Sequence, residues 1–189
     1  AYDPFEFFQT GASYNNRLSI SNGNELGSYY FSLSNLTQEG IIPNNKFGRT
    51  TLRLNATSNL SKKVTVGADF AYTNSTATQI QKGSNVSGIM LGLVRTARTF
   101  DNSAGYIFPD GTQRNYRNGG GYDNPYWVAN MISFDENVNR FTGSANLNVK
   151  FTDYLDLTYT AGVDWYNRRY TDKFAVNSRA YPSGYYDEY

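Results

Sequence analysis

Arg140-Phe141-Thr142-Gly143-Ser144-Ala145-Asn146-Leu147-Asn148-Val149-Lys150-Phe151, followed after three residues by Leu155-Asp156-Leu157-Thr158-Tyr159-Thr160-Ala161-Gly162-Val163-Asp164-Trp165, decides how this chain reads. Apolar residues take every second place in both arms: Phe141, Gly143, Ala145, Leu147, Val149 and Phe151, then Leu155, Leu157, Tyr159, Ala161, Val163 and Trp165. A period of two sends alternate side chains to opposite faces of a strand. Strands of soluble domains run about 5–6 residues, whereas a tilted strand crossing a bilayer needs roughly 9–11. Both arms reach the longer figure. Two such strands joined by a tight turn are the repeating unit of a transmembrane β-barrel.

The pattern extends upstream. Strands are expected near 13–21, 28–37, 48–59 and 64–74, and the quoted hairpin supplies two more, near 138–151 and 155–170. Leu18 and Ile20 alternate in the first; Tyr29, Phe31 and Leu33 in the second; Leu52, Leu54 and Ala56 in the third; Val66, Ala68, Phe70 and Tyr72 in the fourth. Turns are expected over 22–27, through Asn22-Gly23, at Ser61-Lys62-Lys63 and around Asp153. The connections alternate in length. Short turns at Gly23, Lys62 and Asp153 are interleaved with long stretches at 38–47, at 75–137 and after about Tyr170. Short turns at one end and long loops at the other form the outer-membrane pattern. The expected fold is therefore all-β: about six antiparallel strands of a large transmembrane barrel, with a short helix in a long extracellular loop.

Composition agrees. Hydrophobic residues make up 39% of the 189 and aromatics 16%, with a mean hydropathy of −0.59. A wall with one greasy face, a wet face and aromatic girdles has that balance. No apolar run approaches the roughly 18 residues of a spanning helix. A net charge of +1 gives no basis for a nucleic-acid partner held by phosphate neutralisation. The absence of Cys and His excludes disulfides, thiolate metal sites, His-based triads and the usual zinc ligands. Neither an enzyme nor a cofactor is expected. The chain opens at Ala1 without a charged-then-apolar leader, and so reads as mature or as cut from something longer.

The loop at 75–137 is longer than an ordinary connection and should carry structure or function. Val86, Ile89, Met90, Leu93, Val94 and Ala97 fall on one helical face, with Asn85 as the expected N-cap and Gly88 and Gly92 weakening the helix. Turn-rich segments follow, Pro109-Asp110-Gly111 and Asn118-Gly119-Gly120-Gly121. Tyr116, Tyr122, Tyr126 and Trp127 lie in this loop beside Asp110, Asp123 and Asn124. Aromatic faces flanked by carboxylates and amides suit capture of sugar or peptide; the alternative is a loop packed on its own aromatics. Asp110-Gly111-Thr112 lacks the spaced acidic ligands of a calcium loop, so no metal is expected.

Charges on the strands' polar side form a second set of candidates: Arg53, Asp69, Arg140, Lys150, Asp156 and Asp164. Pairing Phe151 with Leu155 sets Lys150 opposite Asp156 and Thr142 opposite Asp164, with Arg140 diagonal to Asp164. Asp69 faces Arg53 or Asn55, according to register. These are either lumenal selectivity charges or simply a polar, water-solvated wall. Tyr72, Tyr154, Trp165 and Tyr170 fall near strand ends, where girdle aromatics belong.

Several short pieces, in order, resemble a known family: Phe8-Gln9-Thr10-Gly11, Leu18-Ser19-Ile20-Ser21-Asn22-Gly23-Asn24, Tyr29-Tyr30-Phe31-Ser32-Leu33, Gln38-Glu39-Gly40-Ile41-Ile42-Pro43-Asn44 and Arg49-Thr50-Thr51-Leu52-Arg53-Leu54-Asn55. Asp123-Asn124-Pro125-Tyr126-Trp127 and Asn137-Val138-Asn139-Arg140-Phe141 continue the likeness. Together they resemble the barrel of SusC/RagA-type TonB-dependent transporters of Bacteroidetes. That resemblance implies a multi-pass barrel in the cell outer membrane, in contact with its lipid. It also implies 22 strands closed by an N-terminal plug, a SusD-like surface lipoprotein as lid, and import of oligosaccharides or peptides driven through TonB. Six strands cannot enclose so wide a lumen, and neither a plug nor a TonB-interacting stretch is read here. The chain is thus expected to be a barrel segment, with TonB acting through a plug outside it. No ligand residue is carried over from the family. A soluble or surface β-rich binding or adhesin module is the competing reading.

Overall fold

Alternation with a polar partner at every second position yields strands far longer than a soluble sheet uses. A computed structural model describes residues 1–83, 86–117 and 121–189. The strands are β1 (Ala12–Asn24), β2 (Gly27–Glu39), β3 (Lys46–Ser61), β4 (Val64–Gln79), β5 (Ile132–Thr152), β6 (Leu155–Phe174) and β7 (Tyr185–Glu188). They form one antiparallel sheet in sequence order, each strand paired with the next. A 3-10 turn at Pro4–Phe7 precedes them, and the β4–β5 connection holds α1 (Ile89–Arg95) and α2 (Pro125–Met131).

The alternation of connection lengths holds. Two-residue turns, Glu25-Leu26, Lys62-Lys63 and Asp153-Tyr154, join β1 to β2, β3 to β4 and β5 to β6. Long connections occupy the opposite end. The first turn lies later than the Asn-Gly pair implied. Asn22 and Gly23 still belong to β1, and Asn24 organises the turn by accepting from the Leu26 and Gly27 amides at 2.9 and 3.2 Å. The hairpin register is as expected, with Lys150 opposite Asp156 and Thr142 opposite Asp164. Phe151, however, bulges out, and Leu155 pairs with Thr152 instead.

Three boundaries depart from the sequence reading. β4 continues through Gln79 and β5 begins at Ile132, which shortens the loop to 80–131. β6 runs on to Phe174, and a seventh strand, β7, returns to pair with residues 171–174. These extensions, such as Thr76 and Thr78 against Asn137 and Asp135, are polar on the face that is greasy lower down. Strands that rise above an apolar belt keep their ladder hydrogen bonds but lose the alternation that marks them.

One face of the sheet is a continuous apolar belt, and no described element covers it. Leu18, Ile20, Leu33, Leu52, Leu54, Phe70, Leu147, Leu157, Tyr159, Val163 and Trp165 each expose between 38% and 65% of their surface. Phe70 lies over Gly143, where an added Cβ would come within 2.8 Å of the ring, so the glycine gives the aromatic its seat. Tyr72 and Trp165 flank Phe141 at the upper margin of this belt, and Tyr154 lies in the opposite turn, 91% exposed. Tyr170 does not join the girdle. It is an odd number of residues from Trp165, so it points to the other face, where its ring lies tilted against Tyr189 at 5.4 Å and beneath Arg168.

The only buried apolar cluster among the described residues lies at the long-loop end: Phe7, Ile80, Ile89, Leu93, Trp127, Val128, Ala129, Ile132 and Phe174. The helix expected over 86–97 is shorter, Ile89–Arg95, with Gly88 at its N-cap; Asn85 lies outside the described residues, as do Asn118, Gly119 and Gly120. Gly92 proves structural. A Cβ there would stand 2.9 Å from the Asp123 carbonyl oxygen and 3.1 Å from Pro125 Cδ, so the glycine lets α1 lie against the start of α2.

Candidate functional site: a polar wall beneath a folded loop cap

All six strand charges share the face opposite the apolar belt, because side-chain parity carries through every paired register. Asn55, not Arg53, stands opposite Asp69, and its side-chain amide donates to the Asp69 carboxylate. Arg140 grips Asp164 with both prongs of its fork, Nε to Oδ1 at 2.9 Å and Nη2 to Oδ2 at 2.5 Å. Both partners are more than half exposed, so the pair is worth at most about 1 kcal/mol in water. Lys150 and Asp156 face each other directly, and Asp156 also accepts from the Asn148 amide at 3.2 Å. Arg53, Asn55, Asp69 and Thr142 line a shallow depression of about 320 Å³. Sequence reading passed over Arg17, Glu136 and Arg168, which join the same face. Arg17 donates to the Tyr30 hydroxyl at 2.5 Å, and Arg168 pairs with Glu136 at 2.6 Å. Parity counted outward from Arg53 would have found them.

The cap above this wall is built on Asp123 and Asn124. Asn124 is the N-cap of α2, accepting from the Tyr126 amide at 2.8 Å, and Pro125 follows at the first helical position. An Asn-Pro pair is a helix start signal that reads equally well as a turn. The Asn124 side-chain amide donates to the Arg114 carbonyl at 2.9 Å, and its backbone N–H to Gln113 Oε1 at 2.8 Å. Asp123 accepts from Ser87 Oγ at 2.5 Å, Gln113 Nε2 at 2.7 Å and the Arg179 amide at 2.9 Å. The last of these reaches into the β6–β7 connection. Trp127 makes a second tie to it, Nε1 donating to Ser178 Oγ at 3.0 Å. Asn44, held at a φ of +66°, anchors the β2–β3 connection by donating to the Ala129 carbonyl at 2.9 Å. One buried carboxylate and one buried indole thus join the β4–β5 and β6–β7 connections, and Asn44 adds the β2–β3 connection to the same cap.

This placement corrects the expected ligand patch. Tyr122, Asp123, Asn124 and Trp127 expose 2% or less, and the polar groups of Asp123 and Asn124 are spent inside the loop. They position the cap rather than face a ligand. Tyr126 is half-buried, edge-on to Phe7 at 4.9 Å. Tyr116 remains open, 40% exposed and edge-on to Phe100 at 5.7 Å. Ser178 and Arg179 escaped sequence reading because nothing local marks a residue whose partner lies more than fifty positions away, and Gln113 because its partners, ten and eleven positions on, follow no periodic pattern. Among the described residues no group of three acidic side chains converges to hold a metal.

The Asp123 network makes a test possible. In Asp123→Asn one oxygen becomes an NH₂ group facing donors, which costs the cap about 1–3 kcal/mol. Amide exchange in 86–117 and 175–184 is expected to accelerate while exchange in the lower halves of β3 to β6 is unchanged. Mass spectrometry resolves the two regions.

No family model matches the chain. It is 27% identical over 161 residues to TonB-dependent receptor P3 of Formosa agariphila, a match that takes in 83% of this chain and 16% of that protein. Among solved structures it superposes on the RagAB peptide importer in its open-open state with a TM-score of 0.76, at 22% identity, over 99% of this chain and 21% of the other. The closed-closed state gives 0.75 over the same shares. The chain therefore spans about a sixth of the length of its curated relative and about a fifth of the importer chain. No described helix is long and apolar enough to cross a membrane, which says nothing of a barrel that crosses with strands. In sequence the chain is similar to a segment of a TonB-dependent receptor, and in fold it is similar to a part of the RagAB importer.

Proposed function

We propose that this chain is a wall-and-cap segment of an outer-membrane TonB-dependent importer, its apolar belt against acyl chains and its charged face toward the lumen. One observation carries the reading: the belt lies bare on a single sheet. Leu155 to Trp165 spans ten residue steps, about 33 Å of strand. At a tilt of roughly 40° that is about 25 Å of height, the band of a transmembrane barrel. The relatives' names, a receptor and an importer, support uptake over catalysis. A soluble adhesin module would need a second layer over this belt, and no described element supplies one.

The strands close backbone hydrogen bonds that would each cost several kcal/mol if left open in hydrocarbon. In the proposal, a plug outside this segment couples to TonB. A SusD-like lipoprotein meets the cap as a lid, and the substrate is an oligosaccharide or a peptide, the latter being what RagAB is named for. Of the four loop aromatics singled out in the sequence, Tyr116 and Tyr126 are left with surface to offer it; Arg53, Asp69, Arg140, Lys150, Asp156 and Asp164 line its route. Spin labels on the full-length protein in liposomes decide the orientation. Labels at Leu54, Phe70, Leu147 and Tyr159 are expected to be quenched by a lipid-soluble relaxant, and labels at Asn55, Asn146 and Thr158 by a water-soluble one. The reverse assignment, or no contrast between the sets, overturns the reading.

A further inference from the structure

The cap encloses a second feature, between the hairpin that turns at Phe108–Gly111 and the β6–β7 connection. The Gly111 amide donates to the Phe108 carbonyl and the Phe108 amide to the Thr112 carbonyl, both near 2.9 Å, so this hairpin is fixed. Asn177, at a φ of +76°, fixes the facing segment by donating from its side chain to the Gly111 carbonyl at 3.2 Å. The cavity between them measures about 430 Å³, and its walls include Phe108, Asp110, Gln113, Asn177, Arg179 and Pro182. That volume is in the range of small-molecule sites, roughly 300–1,000 Å³.

We propose that this cavity binds the free carboxylate end of a short peptide, with Arg179 as the anion contact. The amides in the wall are already committed. Gln113 gives its NH₂ to Asp123 and its carbonyl oxygen to Asn115 and Asn124, and Asn177 is held by Gly111. A neutral sugar, which is recognised through forked amides and carboxylates, finds few groups free. What remains free is ionic. Arg179 makes no ion pair among the described residues, and its buried Nε finds no hydrogen-bond acceptor. Arg179 lines the cavity, and a guanidinium matches a carboxylate in geometry and charge. Phe108, 45% exposed, and Pro182 offer apolar surface to the terminal side chain. Asp110 is held ionised by the hydroxyl and amide of Thr112; it repels a second acidic group and so selects against polyanions. The cavity is a property of the cap itself, so this inference goes beyond the importer reading. Its failure would leave the lipid-contact test untouched.

The test uses the full-length protein in detergent, with acetyl-Ala-Ala-Phe as free acid and as C-terminal amide. Amide exchange is read at 106–114 and 175–184. The free acid is expected to slow exchange in both segments and the amide in neither. In Arg179→Gln the half-saturating concentration rises by about tenfold or more, and in Arg179→Lys, which keeps the charge but loses the fork, it rises less. The fold survives the change because Asp123 holds the Arg179 backbone N–H, not its side chain. Without ligand, R179Q is expected to melt at or above the wild-type temperature, since it removes an unpaired buried donor. Equal response to acid and amide, unchanged binding in R179Q, or a clear loss of stability in R179Q would each overturn the assignment.

Discussion

Arginine in place of Ala145 is expected to destabilise the full-length protein by about 2–4 kcal/mol, while the same residue one position along, at Asn146, is expected to cost close to nothing. Ala145 stands in the middle row of the belt, paired with Ala68 on one side and Ala161 on the other. It lies four positions from Phe141 above and four from Val149 below. A guanidinium placed there cannot reach an interface without thinning the bilayer around it. Asn146 belongs to the opposite face, between Gly67 and Thr160, where a charge meets water. Equilibrium unfolding in urea with lipid vesicles measures both variants. A difference below about 1 kcal/mol between them would mean that the belt does not face hydrocarbon.

The second large effect lies in the cap. Trp127→Ala is expected to remove about 3–5 kcal/mol from it, the range for truncating a buried large aromatic. Trp127 is 1% exposed within the cluster of Phe7, Ile80, Ile89, Leu93 and Val128. Its ring meets Tyr106 edge-on at 6.5 Å, and its indole N–H is one of the ties to the β6–β7 connection. Loss of both packing and tie exceeds what a cap of two seven-residue helices can retain. Residues 80–131 and 175–184 are expected to become sites of rapid proteolysis while the strand hairpins resist. Trp127→Phe, which keeps most of the volume and loses only the hydrogen bond, is expected to fall near 1 kcal/mol. Cleavage of W127A at the wild-type rate would show that the cap is held elsewhere.

What could be read in advance follows from which forces have a local signature. The β5–β6 register was legible because a tight turn between two alternating arms leaves one arrangement that keeps both greasy stripes together. Phe151 was not, since a bulge conserves the stripe on either side of it. The upper halves of β4 and β5 were hidden for a related reason: Thr76, Thr78, Asp135 and Asn137 sit where both faces are wet, so no alternation is demanded. β7, with four residues, is too short to show a period, and α2 is too short to show a helical one. The loop aromatics posed a different difficulty. Tyr116 and Trp127 look alike in sequence, and the contacts that bury one and leave the other open come from Ser178 and Phe7, each more than fifty residues away from Trp127.

The strands outlast the belt, and that has a practical corollary. β5 has nine residues above Phe141, about 30 Å of ladder and, once tilted, over 20 Å of palisade clear of the acyl zone. In the proposed orientation the folded cap stands beyond the headgroups on a hydrophilic stockade. Swapping detergents or changing bilayer thickness should leave its conformation alone, whereas osmolytes and denaturants in the medium should act on it as they would on any small water-soluble domain.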